Sequence, residues 1–174
     1  MYAFEKSTGR FYEPDNIPVQ EYFIWHSAAG DRLRPVFLSK TVSGDTDGAI
    51  LKDYLSNHNT EEYKILEIGD RYSSAIPTSG LQNVVSANRL FYHLSKVQDL
   101  TIYGKFKPQT MIELFTSKED ILFDMNMLRL TFENLDLSIC TNMSYAFAGL
   151  SKLTSWNFLT NLDTKNVEDM TLSV

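Results

Sequence analysis

Few residues of this 174-residue chain have the types and spacing that catalysis or metal binding requires. The three histidines, His26, His58 and His93, are isolated, and none belongs to a pair with the spacing of metal ligands. The lone cysteine, Cys140, cannot form an internal disulfide or build a cysteine-based zinc site. The chain also lacks the Gly-x-Ser-x-Gly, His-Glu-x-x-His and glycine-rich phosphate-loop motifs. We therefore predict a protein that is not an enzyme and holds neither a metal nor a cofactor.

The acidic residues are better explained by turns and helix caps than by chemistry. The segment DTDG (45–48) resembles the start of a calcium-binding loop, but its twelfth position holds Ser56 instead of the required glutamate. A turn followed by a helix, with Asp47 as the N-cap, fits this segment better. Asp136 and Asp163 are also predicted to cap short helical turns, and a cation shared between the two carboxylates is the alternative.

Composition and charge exclude several classes of protein. The chain is 43% apolar and 22% charged, which is typical of a folded domain. Its formal net charge of −6 argues against a nucleic-acid partner, because phosphate contacts need a concentrated basic patch. No run of about 18 apolar residues predicts a membrane span. Residues 1–16 lack the apolar core of a signal peptide, so a cytoplasmic location and export after loss of a leader both stay open.

An apolar pattern recurs about every 28 residues in the second half of the chain. A fixed period of roughly 20 to 50 residues is typical of a solenoid, in which neighbouring units stack to bury their apolar faces. A degenerate first unit is centred on Leu66 and precedes Leu100 by a longer interval of about 34 residues. We therefore predict parallel strands centred on Leu66, Leu100, Leu128 and Trp156, side by side in one sheet. The four sets at this period are Leu94, Leu122 and Leu150; Val97, Met125 and Leu153; Leu100, Leu128 and Trp156; and Ile102, Leu130 and Phe158.

A second pattern, with a period of about 27 residues, supports the same interpretation. The segment Asn134-Leu135-Asp136 recurs as Asn161-Leu162-Asp163, and Met143 recurs as Met170. In this alignment Cys140 lies opposite Val167, which predicts a buried core cysteine rather than a reactive thiol.

The first 47 residues of the chain do not share the repeat. Residues 21–25 and 34–38 predict a β-hairpin in which Pro35 lies on an edge or at the start of a strand, and residues 49–57 predict an amphipathic helix. The predicted organisation is an N-terminal cap over residues 1–60, followed by three to four repeats over residues 61–174. The fold class is α/β.

Residues 141–170, TNMSYAFAGLSKLTSWNFLTNLDTKNVEDM, closely resemble the repeats of the BspA-like leucine-rich-repeat family of bacterial surface proteins. Leu150 replaces the usual cysteine of that pattern and Ala146 a frequent methionine. The resemblance weakens upstream and is absent from residues 1–60. It implies a right-handed leucine-rich-repeat solenoid, a location at the cell surface or outside the cell, and adhesion to proteins of a host or a neighbouring cell.

The alternate residues of the predicted strands would form an exposed face. Tyr103, Met127, Arg129 and Leu159 would give this face a mixed apolar and aromatic patch that favours protein contacts, and a merely soluble sheet face is the alternative. We predict a non-enzymatic protein-binding or adhesion module. An intracellular scaffold, or a secreted effector whose activity lies in residues 1–60, is the alternative function. The predicted protein-binding residues are Thr101, Tyr103, Met127, Arg129, Thr131, Asn157 and Leu159.

The end of the sequence suggests one more contact. Residues 170–174 align with the start of a new helical turn, so Trp156, Phe158 and Leu162 would line an uncapped apolar end. We expect either that more repeats follow or that this end associates with a second chain.

Overall fold

A computed structural model gives the fold for eight ranges of the chain and supports a mixed α/β architecture. Within those ranges the chain forms seven β-strands, one α-helix and a one-turn 3-10 helix. The described ranges are 3–5, 10–12, 22–27, 34–38, 45–57, 64–69, 80–116 and 125–171. The elements are β1 (Ala3–Glu5), β2 (Arg10–Tyr12), β3 (Tyr22–Ser27), β4 (Arg34–Leu38), α1 (Ala49–Asn57), β5 (Ile65–Ile68), β6 (Asp99–Phe106), β7 (Arg129–Leu135) and the 3-10 helix (Asn157–Leu159).

Five of the strands form one sheet in the order β4-β3-β5-β6-β7, and β1 pairs with β2 in a separate two-stranded sheet. β3 is antiparallel to both β4 and β5, whereas β5, β6 and β7 run parallel. The predicted hairpin is therefore confirmed. Pro35 lies on the edge strand β4, where a missing N–H is tolerated. The hairpin expected as part of a cap thus extends the sheet of the predicted repeats.

The helix α1 spans the predicted residues and begins at two carboxylates. Asp47 Oδ1 accepts the backbone N–H of Ala49 at 3.1 Å. The buried carboxylate of Asp45 accepts the N–H groups of Ile50 and Leu51 at 2.9 and 3.3 Å. These bonds satisfy donors that a helix N-terminus otherwise leaves without partners. The helix buries three apolar side chains in the core, those of Leu51, Tyr54 and Leu55.

The parallel pairing shows that the spacing of the first sequence pattern is an average rather than a constant period. Leu66 pairs with Leu100, as their spacing predicted. Leu100, however, pairs with Leu130 and not with Leu128, so β7 is displaced by two residues from its predicted register. Leu128 precedes β7 and is only half-buried. The prediction that Leu128 centres a strand is therefore wrong.

The predicted fourth strand, centred on Trp156, does not form. The N–H of Thr154 donates to the carbonyl of Leu128 at 3.0 Å, and the N–H of Leu128 donates in turn to the carbonyl of Gln98. Thr154 therefore still stacks on the preceding segment. The chain then turns into the 3-10 helix, with Trp156 as its N-cap residue. The outer side of β7 consequently has no paired strand among the described residues, and the prediction of a strand at Trp156 is wrong.

A second ladder of parallel contacts joins successive segments of the chain. It consists of single-residue bridges that connect four residues in turn, Ser86, Thr110, Asn142 and Asp169. Neighbouring backbone groups extend the ladder: the N–H of Met143, for example, donates to the carbonyl of Asp169 at 3.0 Å. The bridge between Asn142 and Asp169 has the spacing of the second sequence pattern, which is confirmed. Successive segments therefore stack in register along two ladders.

Apolar side chains of β3, the helix and the stacked segments form one hydrophobic cluster. Three buried phenylalanines lie five residues after successive bridge residues and mark the same position in each segment; they are Phe91, Phe115 and Phe147. Cys140 is fully buried in the cluster, as predicted, and its counterpart Val167 is partly buried. Burial raises the pKa of the Cys140 thiol, which suits a core residue rather than a nucleophile.

Candidate binding surface

The outward side chains of β6 and β7 form one face of the sheet. Thr101 pairs with Thr131, and Asp99 pairs with Arg129, so the members of each pair lie side by side. Arg129 and Thr131 are exposed, whereas Thr101 and Tyr103 are half-buried. Strand alternation places these side chains on the face opposite the core residues. Four of the seven predicted residues therefore share this outer face, namely Thr101, Tyr103, Arg129 and Thr131.

An ion pair orients the arginine of the outer face. Arg129 Nε lies 2.9 Å from Asp99 Oδ2, and the two side chains are 64% and 24% exposed. Such a solvent-screened pair contributes at most about 1 kcal/mol to stability. Its consequence is geometrical, because the pair directs Nε of Arg129 towards Asp99 while the planar guanidinium carries further donors.

Glu133 is a further residue of the outer face that the sequence prediction missed. A β-bulge near the end of β6 contains Gly104, whose φ of 79° favours glycine. The backbone N–H of Gly104 donates to Glu133 Oε2 at 2.7 Å. This charge-assisted bond holds an exposed carboxylate in line with Arg129 and Thr131. The available signal was the alternation of Arg129, Thr131 and Glu133 along one strand.

Met127 is fully buried, so its assignment to the exposed face is wrong. The N–H of Leu128 donates to the carbonyl of Gln98, so these two residues lie beside each other in neighbouring segments. Met127 and Val97 each come one residue earlier and are therefore equivalent positions. Val97 is also fully buried. Met127 therefore occupies a core position of the stacked segments. The two-residue displacement of β7 concealed this equivalence in the sequence.

A groove of about 420 Å³ lies along the outer edge of β7. One wall is β7 itself, and the other is the segment that leaves the sheet before the 3-10 helix. The ring centroids of Phe132 and Phe158 lie 5.7 Å apart and give the groove an aromatic side. Its volume falls within the range of roughly 300 to 1,000 Å³ that is usual for ligand pockets. The lining residues are Arg129, Leu130, Thr131, Phe132, Thr154, Ser155, Asn157 and Phe158.

Asn157 and Leu159 were predicted on the exposed face of a fourth strand, and the structure places both in the 3-10 helix instead. Asn157 is exposed and lines the groove together with Arg129 and Thr131. Leu159 packs partly buried against the core and does not line the groove. The groove thus brings together three of the predicted residues, one of them from an unexpected element.

The apolar end that the sequence predicted is partly covered. Trp156, Phe158 and Leu162 are half-buried and pack against the hydrophobic cluster. Phe158 makes ring contacts with Trp156 and Phe147 at centroid distances of 5.7 and 5.3 Å. The three side chains are thus partly covered by the protein itself.

The outer face and the groove present hydroxyl, amide and guanidinium groups. Within the described residues, no group of three or more His, Cys, Asp or Glu side chains could hold a metal ion. Asp136 and Asp163 accept the N–H groups of Ser138 and Lys165 at 2.9 and 3.1 Å, which fits the predicted turn caps. Hydrogen bonds from the hydroxyl and backbone N–H of Ser138 lower the pKa of Asp136. Hydroxyl, amide and guanidinium groups beside an aromatic side are suited to binding.

No family model, curated protein or solved structure matches the chain. None of the helices in the described ranges has the length and apolar character needed to cross a bilayer. The surface itself is therefore the basis for a functional proposal.

Proposed function

We propose that this chain is a non-enzymatic protein-binding module that uses the outer face of β6 and β7 together with the adjoining groove. The groove carries this proposal, because it gathers Arg129, Thr131 and Asn157 beside the rings of Phe132 and Phe158. Arginine and aromatic side chains are enriched at the centres of protein–protein contacts. The ion pair and the Glu133 hydrogen bond fix the polar groups in advance, which reduces the ordering cost of binding.

The packing of the N-terminal residues favours this function over an effector activity in residues 1–60. β3 pairs with β5, and Tyr22 and Ile24 are fully buried in the same cluster as Leu66. The buried carboxylate of Asp45 is engaged by the helix N-terminus and by the hydroxyl of Tyr22. The hydroxyl of Tyr22 and the carboxylate of Asp45 therefore serve the fold.

We further propose that the stacked segments form a right-handed leucine-rich-repeat solenoid of the BspA-like type, displayed at the cell surface or secreted. The parallel strands, the second ladder and the recurring phenylalanines support stacking of repeated units. The resemblance of residues 141–170 supports the family, the location and an adhesive role.

A display-library selection tests the binding function. The immobilised chain selects binders from a library of protein fragments, and each binder is then measured against a double variant, Tyr103→Ala with Arg129→Ala. We expect the double variant to lose affinity by at least about tenfold, the effect of removing contacts worth about 1.4 kcal/mol. The matched control is Lys165→Ala, a 73% exposed cation outside the outer face and the groove. Equal affinity for all three proteins would remove this surface from the proposal.

A further inference from the structure

The outer edge of β7 presents backbone groups that no described strand pairs. In a parallel sheet, alternate residues of a strand bond to alternate neighbours. Leu128, just before β7, donates its N–H to Gln98 O on the β6 side and accepts the N–H of Thr154 on the outer side. Within β7, Arg129 N also bonds to Gln98 O on the β6 side. Alternation from Arg129 therefore directs the N–H and C=O groups of Leu130 and Phe132 to the outer edge. An open edge of this kind is a template for an added strand.

The groove limits what can approach this edge. Thr154 N bonds to the carbonyl of Leu128, just before β7. The facing wall of the groove is formed by Thr154, Ser155, Asn157 and Phe158. The chain then continues to Asp169, which is bridged to Asn142. A second copy of the protein that paired through β7 would have to place its own residues 154–171 beside this edge as well. A single extended segment of another protein has no such bulk, and its backbone can lie along β7.

The charges of β7 specify the chemistry of that segment. β7 reads Arg-Leu-Thr-Phe-Glu over residues 129–133, with Arg129 and Glu133 exposed on one face. Leu130 and Phe132 line the groove between them. An antiparallel strand gives the more stable pairing per residue. It would satisfy this pattern with a basic residue opposite Glu133, apolar residues opposite Phe132 and Leu130, and an acidic residue opposite Arg129.

We propose that the edge of β7 binds an extended peptide segment as an added antiparallel strand, with the order basic, apolar, any residue, apolar, acidic. This inference rests on the proposed binding function and specifies the ligand of the groove. The sequence of β7 itself has this order. A synthetic peptide of residues 128–134 is therefore a defined probe for the full chain.

Backbone methylation of the probe tests strand addition directly. Residues of the peptide that oppose Leu130 and Phe132 of the protein exchange backbone hydrogen bonds with them. N-methylation at the peptide's own Leu130 or Phe132 should therefore weaken binding about tenfold in fluorescence anisotropy, whereas N-methylation at its Thr131 should change affinity by less than about twofold. Equal effects at all three positions would overturn the proposal.

Charge reversal on the protein gives an independent test. Glu133→Arg should lower the affinity of the protein for the peptide at least about fivefold. A peptide whose arginine is replaced by glutamate should bind this variant with the original affinity. Glu168→Arg, the same change at an exposed residue outside the groove, is the matched control and should have no effect. Glu133→Gln retains an acceptor for the N–H of Gly104 and should lose an intermediate amount of peptide affinity. This variant separates the effect of the lost charge on binding from the effect of a disrupted bulge.

Two further results would overturn the proposal. One is tighter binding of the wild-type chain to a peptide with its two charges exchanged, which indicates parallel pairing. The other is a dimer in light scattering that the peptide dissociates, which indicates that a second copy occupies the edge. If the chain binds library partners whose affinity depends on Tyr103 and Arg129, but does not bind the peptide, strand addition would be rejected and the binding function left intact. If the peptide binds but no library partner depends on Tyr103 and Arg129, only the role of the outer face in binding would be rejected.

Discussion

The hydroxyl of Tyr22 donates a 2.6 Å hydrogen bond to Asp45 Oδ2, and both residues are buried. The same carboxylate accepts two backbone N–H groups in the first turn of α1. One side chain therefore connects the N-terminal strand of the hairpin to the start of the helix. Burial, followed by the hydrogen bond to Asp45, raises the pKa of the Tyr22 hydroxyl far above its ordinary value.

Replacing Asp45 should destabilise the fold strongly. Asp45→Ala removes the helix cap and leaves the buried hydroxyl of Tyr22 without its acceptor, which together cost about 2 to 4 kcal/mol. The free energy of unfolding from urea denaturation measures this loss. Asp47→Ala is the matched control, because Asp47 is exposed and accepts the N–H of Ala49; it should cost about 0.5 to 1 kcal/mol. Equal losses would contradict a main role for Asp45 in capping.

The raised pKa of Tyr22 makes the fold sensitive to alkali. The folded state retains the phenolic proton after the unfolded chain begins to lose it, so stability falls as the pH rises above about 10. Tyr22→Phe lacks this contribution, although the chain's other tyrosines are unchanged. We expect the unfolding free energy of the wild type to fall more steeply between pH 9 and pH 11 than that of the variant, as measured with urea. If the unfolding free energies of the two proteins fell in parallel with pH, Tyr22 would not be the source of the alkaline sensitivity.

Local patterns predicted the hairpin, the helix and the burial of Cys140 because a few neighbouring residues determine each of them. Alternating apolar residues on either side of a Gly-Asp turn specify a hairpin, and the DTDG segment followed by Ile50, Leu51, Tyr54 and Leu55 specifies a capped helix. The pairing of Leu66 with Leu100 follows from one shared apolar spacing. The coarse α/β architecture was therefore accessible from sequence.

The register of β7 was not accessible in the same way. Met127, Leu128 and Leu130 are all large and apolar, so the sequence alone permits more than one inward set. Pairing with β6 decides between them, and Leu100 selects Leu130. The 3-10 helix at residues 157–159 was hidden for a related reason, because the spacing of Trp156 and Phe158 also fits a strand. The alternation along β7 indicates the face on which Glu133 lies, but the hydrogen bond that holds its carboxylate depends on the bulge at Gly104, which the sequence does not reveal.

The corrected register predicts which methionine and threonine matter for stability. Met127→Ala should lower the free energy of unfolding by about 2 to 5 kcal/mol, because it opens a cavity at a fully buried position. Thr131→Ala, further along the same segment and exposed, should change it by no more than about 0.5 kcal/mol. Urea denaturation of both variants compares the two. A small loss at Met127 would restore the original placement of this residue on the exposed face.

Two turn carboxylates, those of Asp136 and Asp169, make the fold sensitive to acid. The hydroxyl and backbone N–H of Ser138 lower the pKa of Asp136, and those of Thr171 lower the pKa of Asp169. A carboxyl whose pKa is lower in the folded state stabilises the fold above its unfolded pKa of about 4, and this stabilisation is lost as the pH falls through the folded value. The urea midpoint of the wild type should therefore decrease on acidification from pH 5 to about pH 3. The double variant Asp136→Asn with Asp169→Asn keeps an acceptor in each turn but cannot titrate, so its midpoint should decrease less. Identical pH profiles for the two proteins would show that these turns do not contribute to acid sensitivity.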